Sequence, residues 1–363
     1  MDNITTKKFK WKNNEEYLLG KTENFKLLNK VACFDLDGTL IKVKSGKKFP
    51  INSNDWLLLY NKITKKINKL IKDEYCFIIV SNQYKLNGMR ETEWIKKLDN
   101  ILNTLNVETL VCCAKQKNKF RKPMTGFFDE IIEKIDNKIV ISKKDSFYCG
   151  DACGRETDHS DCDYKFAKNI GISFFTPEEL FLKEQVIIPD ISYSLINNLN
   201  HEDYDKINFV PVKNDLIIMV GLPASGKSWF SQKISTKYNY VIINQDILKT
   251  KKKCLKEMEC NVKKNLNIII DNTNPSKETR KEYIDIGIKY NYNIRIIHID
   301  STYELAMHRN YYRMITKGHL IPEIVYNVYR KNFEKPTIDE KVNEILIFKP
   351  EIINDQYYYK YLF

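Results

Sequence analysis

Two aspartates two residues apart, Asp35 and Asp37, sit in Phe34-Asp35-Leu36-Asp37-Gly38-Thr39, directly after an apolar run. On a strand they would share a face. At a strand's carboxyl end in an α/β sheet, that face opens on the crevice where ligands bind. Paired carboxylates there can hold Mg²⁺ through oxygen ligands. One can attack phosphorus as a nucleophile while the other handles a proton. The hexapeptide alone also makes a solvated turn or a calcium loop, so the later segments matter. Ser81 and Asn82 could hydrogen-bond phosphate oxygens. In Arg121-Lys122-Pro123, Lys122 can neutralise phosphate charge. Asp151, after Gly150, adds an acid for the metal. A nucleophile, a hydroxyl, a lysine and a late aspartate in this order point to phosphoryl chemistry. Asp163 reads equally as a further acid or as a surface residue on a helix.

A second constellation is a complete G-x-x-x-x-G-K-S, Gly221-Leu222-Pro223-Ala224-Ser225-Gly226-Lys227-Ser228, between an apolar strand pattern and a helical one. That context defines a P-loop, with Gly221, Ser225 and Gly226 in the loop. Its backbone N–H groups and the helix N-terminus cradle phosphates. Lys227 would meet the β- and γ-phosphates and Ser228 would ligate Mg²⁺, with ATP as the nucleotide. Asp246 follows the next strand, either as a base for a substrate hydroxyl or as a helix N-cap. Asp271, followed by Asn272, ends the strand after that, as an acid near the metal would. Arg309 and Arg313 read either as cations for transition-state charge or as a solvated helix face.

The elements that must position these residues alternate strand and helix, which predicts an α/β fold with parallel sheets. The first set of strands covers 31–35, 76–81, 109–114 and 146–150, with helices near 55–72, 91–105 and 125–136. Asp55 would cap the first helix. The second set covers 216–220, 241–244, 268–271 and 293–299, with helices at 227–238, 252–264, 277–290 and 303–314. Two domains follow, 29–185 and 213–363. A lead segment covers 1–28, and a polar, Pro-containing linker covers 186–212.

The 363 residues suit two domains. No apolar run approaches the roughly 18 residues that span a bilayer, and the N-terminus lacks a secretory core. An intracellular protein of the nucleus or cytoplasm, without membrane contact, is expected. Nine scattered cysteines read as reduced thiols. The net charge of +12 fits an anionic partner such as nucleic acid, or equally the lysine drift of an AT-rich genome, which suits a viral or protist source.

The first constellation resembles the haloacid-dehalogenase superfamily of phosphatases. Longer runs are similar to animal-type polynucleotide kinase 3′-phosphatase: FDLDGTL, RKP, YCGDACGR and FFTPEELFL, then DNTNP, AMHRNYYRMIT and YRKNFEKPT, over about residues 29–349. The resemblance implies a Rossmann-like phosphatase domain before a P-loop kinase. It would remove 3′-phosphates through an aspartyl-phosphate on Asp35 and phosphorylate 5′-OH ends with ATP and Mg²⁺. Asp37 would be the general acid and base, with Asp35, Asp37 and Asp151 around the metal and Asn82 and Arg121 toward the substrate. Asp246 would be the kinase base. Arg280, Asp271 and Asn272 would contact the kinase substrate, and Arg313 would match a lid arginine. Partners would be DNA ends, or RNA, and ATP. The protein would act as a monomer, with ligases or other repair proteins as further partners, and no forkhead-associated module is expected ahead of residue 29. Gln245 replaces an arginine of the family pattern, the run after Asp246 lacks its glycine and tryptophan, and Tyr311 stands at a lid arginine. Two other functions share these motifs: a small-molecule kinase and phosphatase, and a DNA-end binder with an impaired kinase.

Overall fold

The computed structural model describes residues 9–189 and 209–349. These form two compact units, one on either side of the interval 190–208. Most of the expected linker therefore lies outside the described residues.

The first unit carries a seven-stranded sheet in the order β1-β2-β7-β6-β3-β8-β9. Its strands are β1 (Phe9–Asn13), β2 (Tyr17–Thr22), β3 (Lys30–Phe34), β6 (Tyr75–Asn82), β7 (Thr109–Ala114), β8 (Phe147–Cys149) and β9 (Ser173–Phe175). β4 (Ile41–Lys42) and β5 (Leu57–Leu58) make a separate two-stranded ribbon. From β7 to β9 the neighbours are parallel, and the chain order reverses on either side of β3, the first parallel strand. That switch point opens a crevice at the carboxyl end of β3. Val31 to Phe34 are fully buried, as expected for a central parallel strand covered on both faces.

The lead segment is a correction. Residues 9–22 are not a separate stretch but the antiparallel pair β1–β2, and β2 pairs with β7. The helix expected near 55–72 runs only from Ile63 to Lys72. Asp55 does not cap it. Its carboxylate accepts from the amides of Ser45 and Ile51 and from the Ser45 hydroxyl. The helix expected at 125–136 contracts to a single π-turn, Phe128–Ile132.

The second unit holds a five-stranded parallel sheet in the order β11-β12-β10-β13-β14. Its strands are β10 (Asp215–Val220), β11 (Val241–Ile243), β12 (Ile268–Ile270), β13 (Asn293–Ile299) and β14 (Glu344–Phe348). β10 is central and buried along its length, and the P-loop leaves its carboxyl end. The helix that follows spans Lys227–Tyr238, and helices at Lys277–Lys289 and Tyr303–Lys317 flank the later strands. At the other end of β10, buried Asp215 accepts from Arg295 and from the Tyr240 hydroxyl (2.6 Å), which ties three strand regions together. No helix among the described residues is long and apolar enough to cross a membrane, and all nine cysteines are free thiols.

Candidate active sites

Asp35 continues β3 by one residue. Its amide donates to the Cys149 carbonyl at 2.9 Å, which holds the side chain in the crevice between β6 and β8. Lys122 reaches it from the loop after β7. The Lys122 Nζ donates to Asp35 Oδ1 (2.5 Å) and to the Tyr148 hydroxyl (2.6 Å), and it stands 2.7 Å from Asp163 Oδ1. Tyr148 Oη in turn donates to Asp163 Oδ1 at 3.0 Å. Asp151 lies on the other side, receiving the Thr39 hydroxyl at 3.1 Å. Gly38 has φ +87°, and a Cβ there would stand 2.5 Å from the Asp151 carboxylate, so this turn requires glycine on both counts.

Oxygens of Asp35, Asp151 and Asp163 all lie within 4.8 Å of one another. Three carboxylates face one ammonium, which leaves excess negative charge in a buried pocket. Burial pushes Asp35 well above the usual carboxylate range; Lys122 opposes this, and Asp163 and Asp151 add to it. Burial and then Asp163 push Asp151 up to about 6. For Lys122 burial disfavours the charge, but Asp163 and Asp35 outweigh it and hold the ammonium protonated. An oxygen-rich, over-negative cluster is the donor set a hard divalent cation takes, so Asp35, Asp151 and Asp163 fit Mg²⁺.

Asp37 is outside the group of three clustered carboxylates; its own carboxylate accepts from Lys97 Nζ (3.0 Å) and Gln83 Nε2 (2.8 Å). Gln83 Nε2 also reaches the buried Ser81 hydroxyl at 3.1 Å, linking Asp37 to the end of β6. Asn82 braces the Lys122 loop. Its amide group accepts from the Lys122 N–H (2.9 Å) and donates to the Lys122 carbonyl (3.1 Å). It positions the Lys122 loop rather than facing a substrate. Of the two readings of Asp163, its burial favours the further acid, whereas Lys97, Gln83 and Tyr148 are site residues to which the motifs assign no role. Lys97 had a readable signal: it lies in the buried stripe of the helix Gly88–Leu105, between Trp94 and Ile101.

In the second unit the P-loop turns through Gly221 (φ +152°) and Gly226 (φ +108°), and a Cβ on Gly221 would stand 2.7 Å from the Ile299 carbonyl. Lys227 is buried, its Nζ donating to the carbonyls of Gly221 (2.9 Å) and Leu222 (2.6 Å). Burial pulls its ammonium down to about 8, against the pull of Asp271 and Asp246. Ser228 is exposed at the start of the helix. Asp271 is buried: one carboxylate oxygen accepts from Asn244 Nδ2 (3.1 Å), and the other, Oδ1, is buried without a hydrogen-bond partner. With the Ser228 hydroxyl, that orphaned oxygen fits a second Mg²⁺ site. Asp246 is exposed in the first turn of the short helix Gln245–Leu248. Asn244 is the cap there, accepting from the Asp246 amide at 2.7 Å, so the N-cap alternative for Asp246 is excluded.

Three expected substrate or lid residues have other duties. Asn272 accepts from the Gln245 amide at 2.8 Å and so positions the helix that carries Asp246. Arg280 is fully buried and makes a two-pronged pair with Glu340 (2.7 and 2.8 Å), while its remaining nitrogen donates to the carbonyls of Asn274 and Pro275. It ties the helix to a later loop and cannot reach a substrate. Arg280→Ala is therefore expected to cost about 3–5 kcal/mol of stability by stranding Glu340, measured by denaturant unfolding. Arg313 lies against His319 (3.1 Å). Arg309, one turn earlier, reaches the P-loop, donating to the Ser225 carbonyl at 2.5 Å.

Fold and sites together define a two-unit protein of phosphoryl chemistry: an aspartate-centred crevice followed by a P-loop. Residues 30–181 match the family described as polynucleotide kinase 3 phosphatase, and residues 215–355 that of chromatin associated protein KTI12. A bifunctional polynucleotide phosphatase/kinase of Schizosaccharomyces pombe is 36% identical over 342 residues, covering 91% of this chain and 82% of that protein. A chain of Acanthamoeba polyphaga mimivirus, provisionally assigned the same two activities, is 34% identical over 94% of this chain and 90% of its own length. A polynucleotide 3′-phosphatase of Arabidopsis thaliana is 30% identical over 190 residues, 48% of this chain and 27% of that protein. The chain belongs to the bifunctional polynucleotide phosphatase/kinase family.

Proposed function

We propose that this protein heals nucleic-acid ends, removing 3′-phosphates at the first site and phosphorylating 5′-hydroxyls with ATP at the second. The observation that carries this is the presence in one chain of the Lys122-bridged carboxylate cluster and a complete P-loop, in a protein alignable over 91% of its length with a bifunctional relative.

At the first site the Asp35 carboxylate attacks phosphorus and the bond from phosphorus to the 3′ oxygen breaks. Asp37 donates a proton to that oxygen, leaving the phosphoryl group on Asp35. Water then attacks the same phosphorus and gives its proton to Asp37, which frees inorganic phosphate and restores Asp35. Lys97 and Gln83 hold Asp37 for both proton transfers. Lys122 and the Ser81 hydroxyl face the phosphoryl oxygens, and Asn82 fixes the Lys122 loop. Asp35, Asp151 and Asp163 would hold a Mg²⁺, whose chemistry there would be to neutralise phosphoryl charge.

At the second site the loop N–H groups and Lys227 hold the ATP phosphates. Asp246 takes the proton of the 5′-hydroxyl as its oxygen attacks the γ-phosphorus, and the bond to the bridging oxygen breaks to release ADP. Ser228 and Asp271 would hold the Mg²⁺ that screens those phosphates. Of the two arginines read as cations for transition-state charge, Arg309, held on the loop through the Ser225 carbonyl, carries positive charge to the transferred group. The products, a 5′-phosphate and a 3′-hydroxyl, are the ends that ligation of DNA strand breaks consumes.

The test pairs 3′-phosphate release and ATP-dependent 5′-labelling on oligonucleotides with the same assays on 3′-phosphonucleotides and phosphosugars, with Mg²⁺ omitted as the control. Preference for oligonucleotides, falling with salt as phosphate contacts require, supports the reading; equal or better turnover of the small molecules overturns it. Protons also compete with the metal for Asp151, whose folded pKa is about 6. The Mg²⁺ concentration for half-maximal phosphatase activity is therefore expected to rise as pH falls below about 6. A titration series from pH 5 to 8 (about a unit on one side of that value and two on the other) measures it.

A further inference from the structure

Just beyond β6, the backbone keeps pairing with the loop after β7. The Gln83 amide donates to the Ala114 carbonyl (2.8 Å) and the Lys85 amide to the Lys115 carbonyl (2.9 Å). Lys85 adopts φ +56°, a left-handed conformation that a lysine holds only where its surroundings impose it. Lys115 is itself fixed: its ammonium is buried against Glu91 (2.6 Å) and donates to Asn13 Oδ1 (2.8 Å). The tight bend presents the Tyr84 ring outward, 44% exposed. Three cations surround that ring: Lys85 at 5.3 Å from its centroid, Lys117 at 5.9 Å and Arg121 at 5.9 Å. All three lie over the ring within cation–π range of its centroid.

The position relative to the first site is fixed by the chain. Tyr84 follows Ser81 by three residues, so their Cα atoms are at most about 11 Å apart. Arg121 precedes Lys122. A partly exposed aromatic in a fixed backbone, with cations gathered about it, combines the two elements that bind single-stranded nucleic acid: a stacking face and a track for phosphates. We propose that Tyr84 is a stacking platform for an unpaired nucleobase one or two nucleotides upstream of the 3′-phosphate, with Lys85, Lys117 and Arg121 on the backbone phosphates. The first site would then take a single-stranded 3′ end. This deepens the phosphatase reading and rests on it.

The test uses the full chain and 3′-phosphorylated oligonucleotides of one length, with bases throughout or abasic at the second and third positions from the 3′ end. Charge and length are then equal, and only the stacking partner changes. Wild type is expected to favour the base-bearing strand by about tenfold in KM and Kd, with kcat little changed. Tyr84→Ala should bring the base-bearing strand to the abasic level, and Tyr84→Trp should restore the preference. Lys85→Ala and Lys117→Ala should each lower the slope of log Kd against log salt by about 0.7, leaving the base preference in place. A wild type without base preference, or a Tyr84→Ala variant that keeps it, overturns the platform. If no phosphate is released from either strand, the phosphatase reading fails, and the Kd comparison still decides the platform.

Discussion

Asp35→Asn is expected to lower release of phosphate from a 3′-phosphorylated oligonucleotide by about 10⁴-fold or more, with ATP-dependent 5′-labelling at the wild-type rate. The carboxamide is isosteric but cannot attack phosphorus or carry the phosphoryl group. Folding survives the change, because Lys122 keeps Asp163 at 2.7 Å as its ionic partner. The direction of the stability effect also follows. Burial raises the folded pKa of Asp35 well above its unfolded value. A carboxyl shifted that way favours folding most at low pH and loses that contribution as pH rises through the folded pKa. At neutral pH and without divalent cation its charge opposes folding. Asp35→Asn should therefore melt at or above the wild-type temperature in chelator. Lost activity with a lower melting temperature would indicate a structural aspartate instead of a nucleophile.

Lys227→Ala is expected to have the converse profile, lowering 5′-phosphorylation by at least about 10²–10³-fold, the loss seen when one preorganised charge contact to a reacting group is removed. Phosphatase turnover should not change, since Asp35, Lys122, Asp151 and Asp163 all lie in the other unit. The Lys227 ammonium, brought down to about 8 by burial, still carries charge at neutral pH, and bound phosphates would hold it there. Steady-state kinetics in ATP should show the loss in kcat/KM. A variant altered only in KM for the nucleic-acid strand would place Lys227 on the wrong substrate.

Much of the fold is legible in the sequence where burial is uniform. β7, β13 and the helix after the P-loop lie where their patterns place them; β7, buried along its whole length, reads as a nearly continuous apolar run. β2 is hidden for the opposite reason. Its buried positions are Leu18, Gly20 and Thr22, so only one of the three announces itself as apolar. β14 and the helix Glu323–Asn332 are also missed: the strand is partly exposed along its length, and the helix buries only Tyr326 and Tyr329. Asp55 shows how a residue type suited to capping can satisfy other amides when the helix begins later.

Site residues divide the same way. Those at strand ends, Asp35, Ser81, Asp151 and Asp271, are legible because the crevice of a parallel sheet lies at its strands' carboxyl ends. Residues whose partners are far along the chain are not. Arg280 looks like a solvent-facing arginine until Glu340, 60 residues later, closes on it. Arg309 and Arg313 are four residues apart on one helix, and only packing against Ser225 separates their roles. Asp37 shares the D-x-D spacing of a metal pair, but its carboxylate pairs with Lys97, a buried lysine 60 residues later.

The central claim is that one chain heals both ends of a strand through two separate sites. One oligonucleotide bearing a 5′-hydroxyl and a 3′-phosphate, incubated with ATP and Mg²⁺ and then scored for ligation at each end, tests it most directly. Wild type should make both ends ligatable. Asp35→Asn should heal only the 5′ end and Lys227→Ala only the 3′ end, while a mixture of the two variants should heal both. Healing of both ends by either variant alone, or failure of the mixture, would contradict it.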